Sequence, residues 1–181
     1  MGMNSGIDFF NIDYLQHGNA VQREVYEVLI DTAVLQLLSA YDPVLAGTIP
    51  IAVDIPGSDL DILCSFKAQE VFKQDMITRF GEAAGFSIKE FEIYGQACVV
   101  VNFEKAGYAF EIFAQQLPVR EQMGYRHMVI EHRLLLEHGD SLRQEVIRLK
   151  KEGYKTEPAF CLCLGIEGNP YLELLKLEAK Q

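Results

Sequence analysis

No apolar run in this chain reaches the roughly 20 residues that a helix needs to cross a bilayer, so a membrane-spanning class is not expected. Met1 to Phe10 contains Asp8 but no Lys or Arg, which does not suit a secretory signal; a cytoplasmic protein is the expectation. Basic residues are outnumbered, 16 Lys and Arg against 26 Asp and Glu, for a formal net charge of −10. That balance argues against a general affinity for DNA or RNA backbones, which demands basic surface. Cysteines number four. Cys161-Leu162-Cys163 lacks the two-residue spacer of a metal knuckle or redox pair, and all four lie in apolar segments, as reduced buried thiols do. No internal repeat, low-complexity tract or linker interrupts the chain. A single domain over 1–181 is expected, with a core of about 19–116 and a helical C-terminal part of about 117–178.

What the chain does have is apolar patterning, with 49% hydrophobic residues. Residues 1–11 read as a loosely ordered leader and 12–16 as a helical turn. Val21, Val25, Val28, Leu29, Thr32 and Leu35 recur at three- and four-residue steps, predicting one helix from Asn19, its N-cap, to about Tyr41. Strands are predicted at 44–51, 60–66, 86–94, 97–103 and 108–113. An amphipathic helix through Val71, Phe72, Met76, Ile77 and Phe80 is predicted over 67–81. Lys105-Ala106-Gly107 makes a hairpin turn. Beyond Gln116 the pattern turns helical: one long helix or two over 118–138 with Gly124 a possible break, then a helix capped by Asp140 or Ser141, then two short ones.

The chemistry gathers at Leu45-Ala46-Gly47-Thr48 and, ten residues on, Asp59-Leu60-Asp61-Ile62. Side chains alternate along a strand, so Asp59 and Asp61 share one face while Leu60 and Ile62 point to a core. Two neighbouring carboxylates repel unless a cation lies between them, which suits Mg²⁺, a hard ion that prefers oxygen ligands. The alternative is an ordinary turn and strand with solvent-facing acids. Gly47 fits a backbone that approaches a ligand closely, and Thr48 offers a hydroxyl and an N–H to a phosphate oxygen. Asp54, in the connection between, is expected to face solvent. Glu111 is the lone charge in the apolar run Phe110-Glu111-Ile112. On alternation it points away from the core face, which also suits an exposed residue on an edge strand.

This order and spacing resemble the signature of the nucleotidyltransferase (polymerase-beta-like) superfamily, with Thr48 for the usual Ser and Ser58 ahead of Asp59. Tyr125-Arg126-His127-Met128, Leu149-Lys150, Lys155-Thr156-Glu157-Pro158-Ala159-Phe160 and Pro170-Tyr171 extend the likeness to an uncharacterised bacterial domain-of-unknown-function family (DUF4269-like). The helical half is distantly similar to GrpB-type proteins. The resemblance implies an α+β fold: a nucleotidyltransferase-like mixed β-sheet flanked by helices, with a helical C-terminal layer. It implies one or two Mg²⁺ ions on Asp59, Asp61 and Glu111, with Glu111 where many members carry Asp. An NTP is the implied substrate.

Half of the 16 basic residues lie between Arg120 and Lys155. Arg126, Arg133, Lys150 and Lys155 are candidates to neutralise phosphate beside Gly47, Thr48 and Ser58, although each also suits a solvated helix face. Lys155 precedes the start of a helix with Thr156 as its expected N-cap, a favourable place for an anion. His127 and Glu131, four apart on a helix, read as a surface ion pair or as groups near a substrate. The expected activity is transfer of a nucleotidyl group to a small-molecule or protein acceptor. The alternative is a non-catalytic nucleotide-binding or antitoxin-like partner module on the same fold.

Overall fold

The computed structural model describes residues 7–178. Residues 7–11 of the expected leader are not loose: Phe9 is buried and packs edge-on against Tyr14 and His132. Residues 1–6 lie outside the described part. A 3-10 turn, Asp13–His17, leads to α1 (Ala20–Thr32), where Asn19 and Gln22 cap each other's backbone reciprocally. The single helix expected to Tyr41 is broken at Ala33, whose φ of 54° is left-handed. A one-turn α2 (Val34–Leu37) and a 3-10 turn, Ser39–Tyr41, follow.

Among the described residues the sheet has the order β1-β2-β5-β4-β3, with β2 and β5 parallel and the other pairs antiparallel. Its strands are β1 (Val44–Ala46), β2 (Leu60–Ser65), β3 (Ala84–Ile93), β4 (Gln96–Lys105) and β5 (Tyr108–Gln115). β1 is shorter than expected because the chain turns at Gly47, so Thr48 lies on a loop. Asp59 precedes β2 rather than standing within it. β5 is central, between β2 and β4, which removes the edge-strand reading of Glu111.

Alternation along β2 and β5 assigns the two faces. Leu60, Ile62, Cys64, Phe110, Ile112 and Ala114 pack under α1 and α3 (Gln69–Phe80) in one core. On α3 only Phe72, Met76 and Phe80 are buried; Val71 and Ile77, expected on the apolar stripe, are exposed. The opposite face, through Leu63 and Phe113, meets the C-terminal helices in a second core. Those helices are α4 (Met123–His138), α5 (Asp140–Lys151), α6 (Thr156–Leu164) and α7 (Pro170–Leu175). Gly124 does not break α4; a Cβ added there would stand 3.5 Å from the Leu63 methyls, in ordinary van der Waals contact. Neither Asp140, Ser141 nor Thr156 forms the expected side-chain cap; the cap positions fall on Gly139 and Lys155. No helix of the described residues is long and apolar enough to cross a membrane.

Candidate functional site

The loop after β1 is pinned from both layers. The buried Gln22 of α1 donates through Nε2 to the carbonyls of Ile49 (2.9 Å) and Pro50 (3.1 Å). From α5, Arg143 donates to the Ala52 carbonyl at 3.0 Å and Lys150 Nζ to the Val53 carbonyl at 2.7 Å. Three long side chains thus satisfy the carbonyls of an otherwise irregular buried segment, and Thr48 is held at the edge of the sheet.

Asp61 pairs with Ala46 across β1 and with Glu111 across β5. Neighbouring strands run about 4.8 Å apart, so the two acids stand side by side on the face turned to the C-terminal helices. Between that face and α4 and α6 lies a cleft of about 320 Å³. Gly47, Thr48, Asp61 and Glu111 line its sheet side, over an apolar floor that includes Leu63 and Phe113. His127, Met128 and Glu131 of α4 and Thr156 and Glu157 of α6 line its helical side.

Burial, then the charges of Asp59 and Glu111, push the Asp61 carboxyl up to about 8, against a smaller pull from Lys150 and Lys155. Glu111 is raised too, by burial and then by Asp59. Asp59 is exposed and does not line the cleft, although both acids feel its charge. Among the described residues no three His, Cys, Asp or Glu side chains stand together as a metal-holding group. The donor chemistry nevertheless suits a hard cation: two crowded carboxylates whose charged forms nearby lysines compensate only in part, beside a glycine whose missing side chain leaves Asp61 room.

The expected basic residues divide. Lys150 is buried, and burial lowers its pKa although Asp54, Glu131, Asp61 and Glu157 all favour its charge. Asp54 is correspondingly half-buried, not solvent-facing, with burial raising it and Lys150 partly offsetting the rise. Lys155 is exposed at the start of α6, and its charge reaches Asp61 and Glu111. Arg126 and Arg133 do not join the cleft. They line a separate cavity of about 310 Å³ on the other side of α4, where Arg126 clasps Glu178 through two hydrogen bonds and Arg133 donates to the Leu177 carbonyl. Ser58 also stays outside: its Oγ accepts from Ile55 N at 3.0 Å, closing its own turn.

His127 and Glu131 are buried, not a surface pair. His127 Nε2 lies 2.8 Å from the Tyr171 carbonyl and Nδ1 3.4 Å from Glu157. Burial raises Glu157, but the His127 hydrogen bond, its own backbone and nearby positive charge outweigh this and hold it low. Glu131 is pushed well above the usual carboxylate range, by burial first and Glu157 second. Glu131 was expected with His127 on the surface or near a substrate, whereas Glu157 was not among the expected site residues. Glu131 did carry a signal, an acid on the helix stripe formed by Met128, Ile130, Leu134 and Leu135; Glu157, in a helix first turn, carried none beyond favourable dipole placement.

Residues 27–177 match the family described as a domain of unknown function (DUF4269). The chain belongs to the DUF4269 family. Among curated proteins none matches this DUF4269 chain in sequence. Solved structures similar to it are nucleotidyltransferases, and the fold is nucleotidyltransferase-like. The polymerase core of TRAMP, an RNA surveillance complex, superposes with a TM-score of 0.52 at 16% identity, over 91% of this chain and 59% of that one. Cid1, described for its RNA terminal uridylyl transferase activity, gives 0.52 at 8% identity over 77% and 45%. The GLD-2/RNP-8 complex gives 0.50 at 13% over 84% and 57%. The DUF4269 chain therefore spans less than two thirds of the length of each.

Proposed function

We propose that this protein transfers a nucleotidyl group from an NTP to a small-molecule or protein acceptor, with Mg²⁺ held by Asp61 and Glu111 and assisted by Asp59. The observation that carries this reading is the in-register pair Asp61–Glu111 on adjacent parallel strands, beside the Gly47 turn. Similar solved structures are polymerases and terminal transferases by description, one of them with MgGTP bound. When bound, the ion supplies charge neutralisation and polarisation of the transferred phosphoryl group. The chain's own residues do the placing. Gly47 and the Thr48 hydroxyl hold the phosphates, and Lys155 neutralises them from the rim. Lys150 anchors the loop that presents Thr48 and lowers the cost of charge on Asp61. Glu111 or Asp61 would accept the proton of the attacking hydroxyl as pyrophosphate leaves. The chain acts as one domain in the cytoplasm.

The exposure of Asp59 favours a second reading, a nucleotide-binding or antitoxin-like module that binds without turnover. One experiment separates the two. The full chain is titrated with Mg²⁺ and ATP or UTP in a calorimeter, then incubated with α-labelled NTPs and candidate acceptors beside an Asp59→Ala, Asp61→Ala double variant. Magnesium-dependent binding and labelling that the double variant loses support transfer. Binding without labelling selects the module, and equal labelling by both proteins removes the catalytic reading.

A further inference from the structure

The sheet side of the cleft accounts for a nucleotide and its ion; the helical side does not. There α4 and α6 present Glu131 and Glu157, with His127 between Glu157 and the Tyr171 carbonyl. Glu131 is only 4% exposed, and its Oε1 has no hydrogen-bond partner. A buried acceptor left unpaired costs about 1–3 kcal/mol, and native proteins rarely keep one that a ligand or water does not satisfy. The atom itself is closed to solvent, but its residue lines the cleft, so a donor would have to approach from there.

The charge around it selects the donor. Asp61, Glu111, Glu131 and Glu157 line one cleft of about 320 Å³. The Lys150 ammonium is already engaged by the Val53 carbonyl, and Lys155 stands exposed at the rim. Glu157 is held low while burial and Glu157 itself raise Glu131, so a cation entering beside them stabilises the charged pair, whereas a phosphate adds repulsion. Triphosphate is thereby confined to the Gly47–Lys155 side, and a nucleic-acid strand is disfavoured on the helical side. Met128, between His127 and Glu131 on the same wall, supplies apolar contact for a ligand's body.

We propose that Glu131, supported by Glu157, forms an acceptor subsite for a small molecule carrying a primary ammonium group, such as an amino sugar or a polyamine. This rests on the transferase reading only for the word acceptor; the ammonium site itself stands on the helical wall alone.

The test is calorimetric titration of the full chain with spermidine and with glucosamine, without Mg²⁺ or nucleotide, each beside its N-acetylated counterpart. The expected result is binding of an amine but not of its acetylated form, weakened tenfold or more in Glu131→Gln and also weakened in Glu157→Gln. Thermal melts of both variants show that they are folded, and the second variant keeps the test open if the first is not. Absence of amine binding, equal binding of amine and acetylated form, or unchanged affinity in both variants overturns the subsite. A separate Mg²⁺–ATP titration of the unmodified chain judges the nucleotide reading. Failure there with amine binding intact removes only that reading, and the converse removes only the subsite.

Discussion

Asp61 rests on Gly47: a Cβ built on the glycine would lie 2.0 Å from Asp61 Oδ2, and the glycine φ is +74°. Both facts require glycine. A side chain there would meet the carboxylate and strain a backbone in the left-handed region. Gly47→Ala should therefore lower stability by about 1–3 kcal/mol in urea unfolding. It should also displace Asp61 and abolish Mg²⁺-dependent ATP binding by calorimetry. A variant that binds as well as the original would mean that Asp61 has no part in the nucleotide site.

Asp61 should leave a signature in stability against pH. Burial and the neighbouring acids push its folded carboxyl up to about 8, from an ordinary 3.8. Between those values the folded state holds a proton that the unfolded chain has lost, so this group makes stability fall as pH rises from about 4 to about 8. Asp61→Asn removes that slope. The variant should melt higher than the original at pH 8, with the gap closing toward pH 4. Added Mg²⁺ at pH 8 should raise the melting temperature of the original and not of the variant.

A buried acid without a partner should also be expendable for folding. Glu131 is raised well above its usual range by burial, so it too contributes stability that is lost as pH climbs past the ordinary carboxylate range. Replacing such a group by an apolar side chain of similar length removes the cost of an unpaired buried acceptor, about 1–3 kcal/mol. Glu131→Met is expected to raise the denaturation midpoint at pH 8. A loss of stability there would show that Glu131 is tied into the helical layer in its charged form.

Much of this is legible in the sequence. The alternation of Leu60 and Ile62 against Asp61, repeated in Phe110 and Ile112 against Glu111, is a local rule, and it assigned the face of each acid. The turn at Lys105-Ala106-Gly107 and the cap at Asn19 are likewise written within a few residues. What failed depended on distant packing. Ala33 breaks α1 although nothing in its neighbours announces it. Arg126 is drawn off by Glu178, 52 residues away. Glu157 enters the cleft only because α6 folds back over the sheet, and Asp54 is drawn inward by Lys150 of α5.

That division of the basic residues makes a further pair of predictions. Arg126→Ala removes an exposed ion pair with Glu178, for which about 0–1 kcal/mol is typical. It should leave Mg²⁺–ATP binding unchanged, since Arg126 faces another cavity. Lys155 stands where its charge reaches both Asp61 and Glu111. Lys155→Ala should weaken Mg²⁺–ATP binding about fivefold to tenfold, the effect of roughly 1–1.4 kcal/mol, with a shallower salt dependence because a surface charge contact is lost. Both variants are read in the same calorimeter at two salt concentrations. A loss in Arg126→Ala that matched or exceeded the one in Lys155→Ala would place the phosphates on the far side of α4, and the cleft would no longer be the nucleotide site.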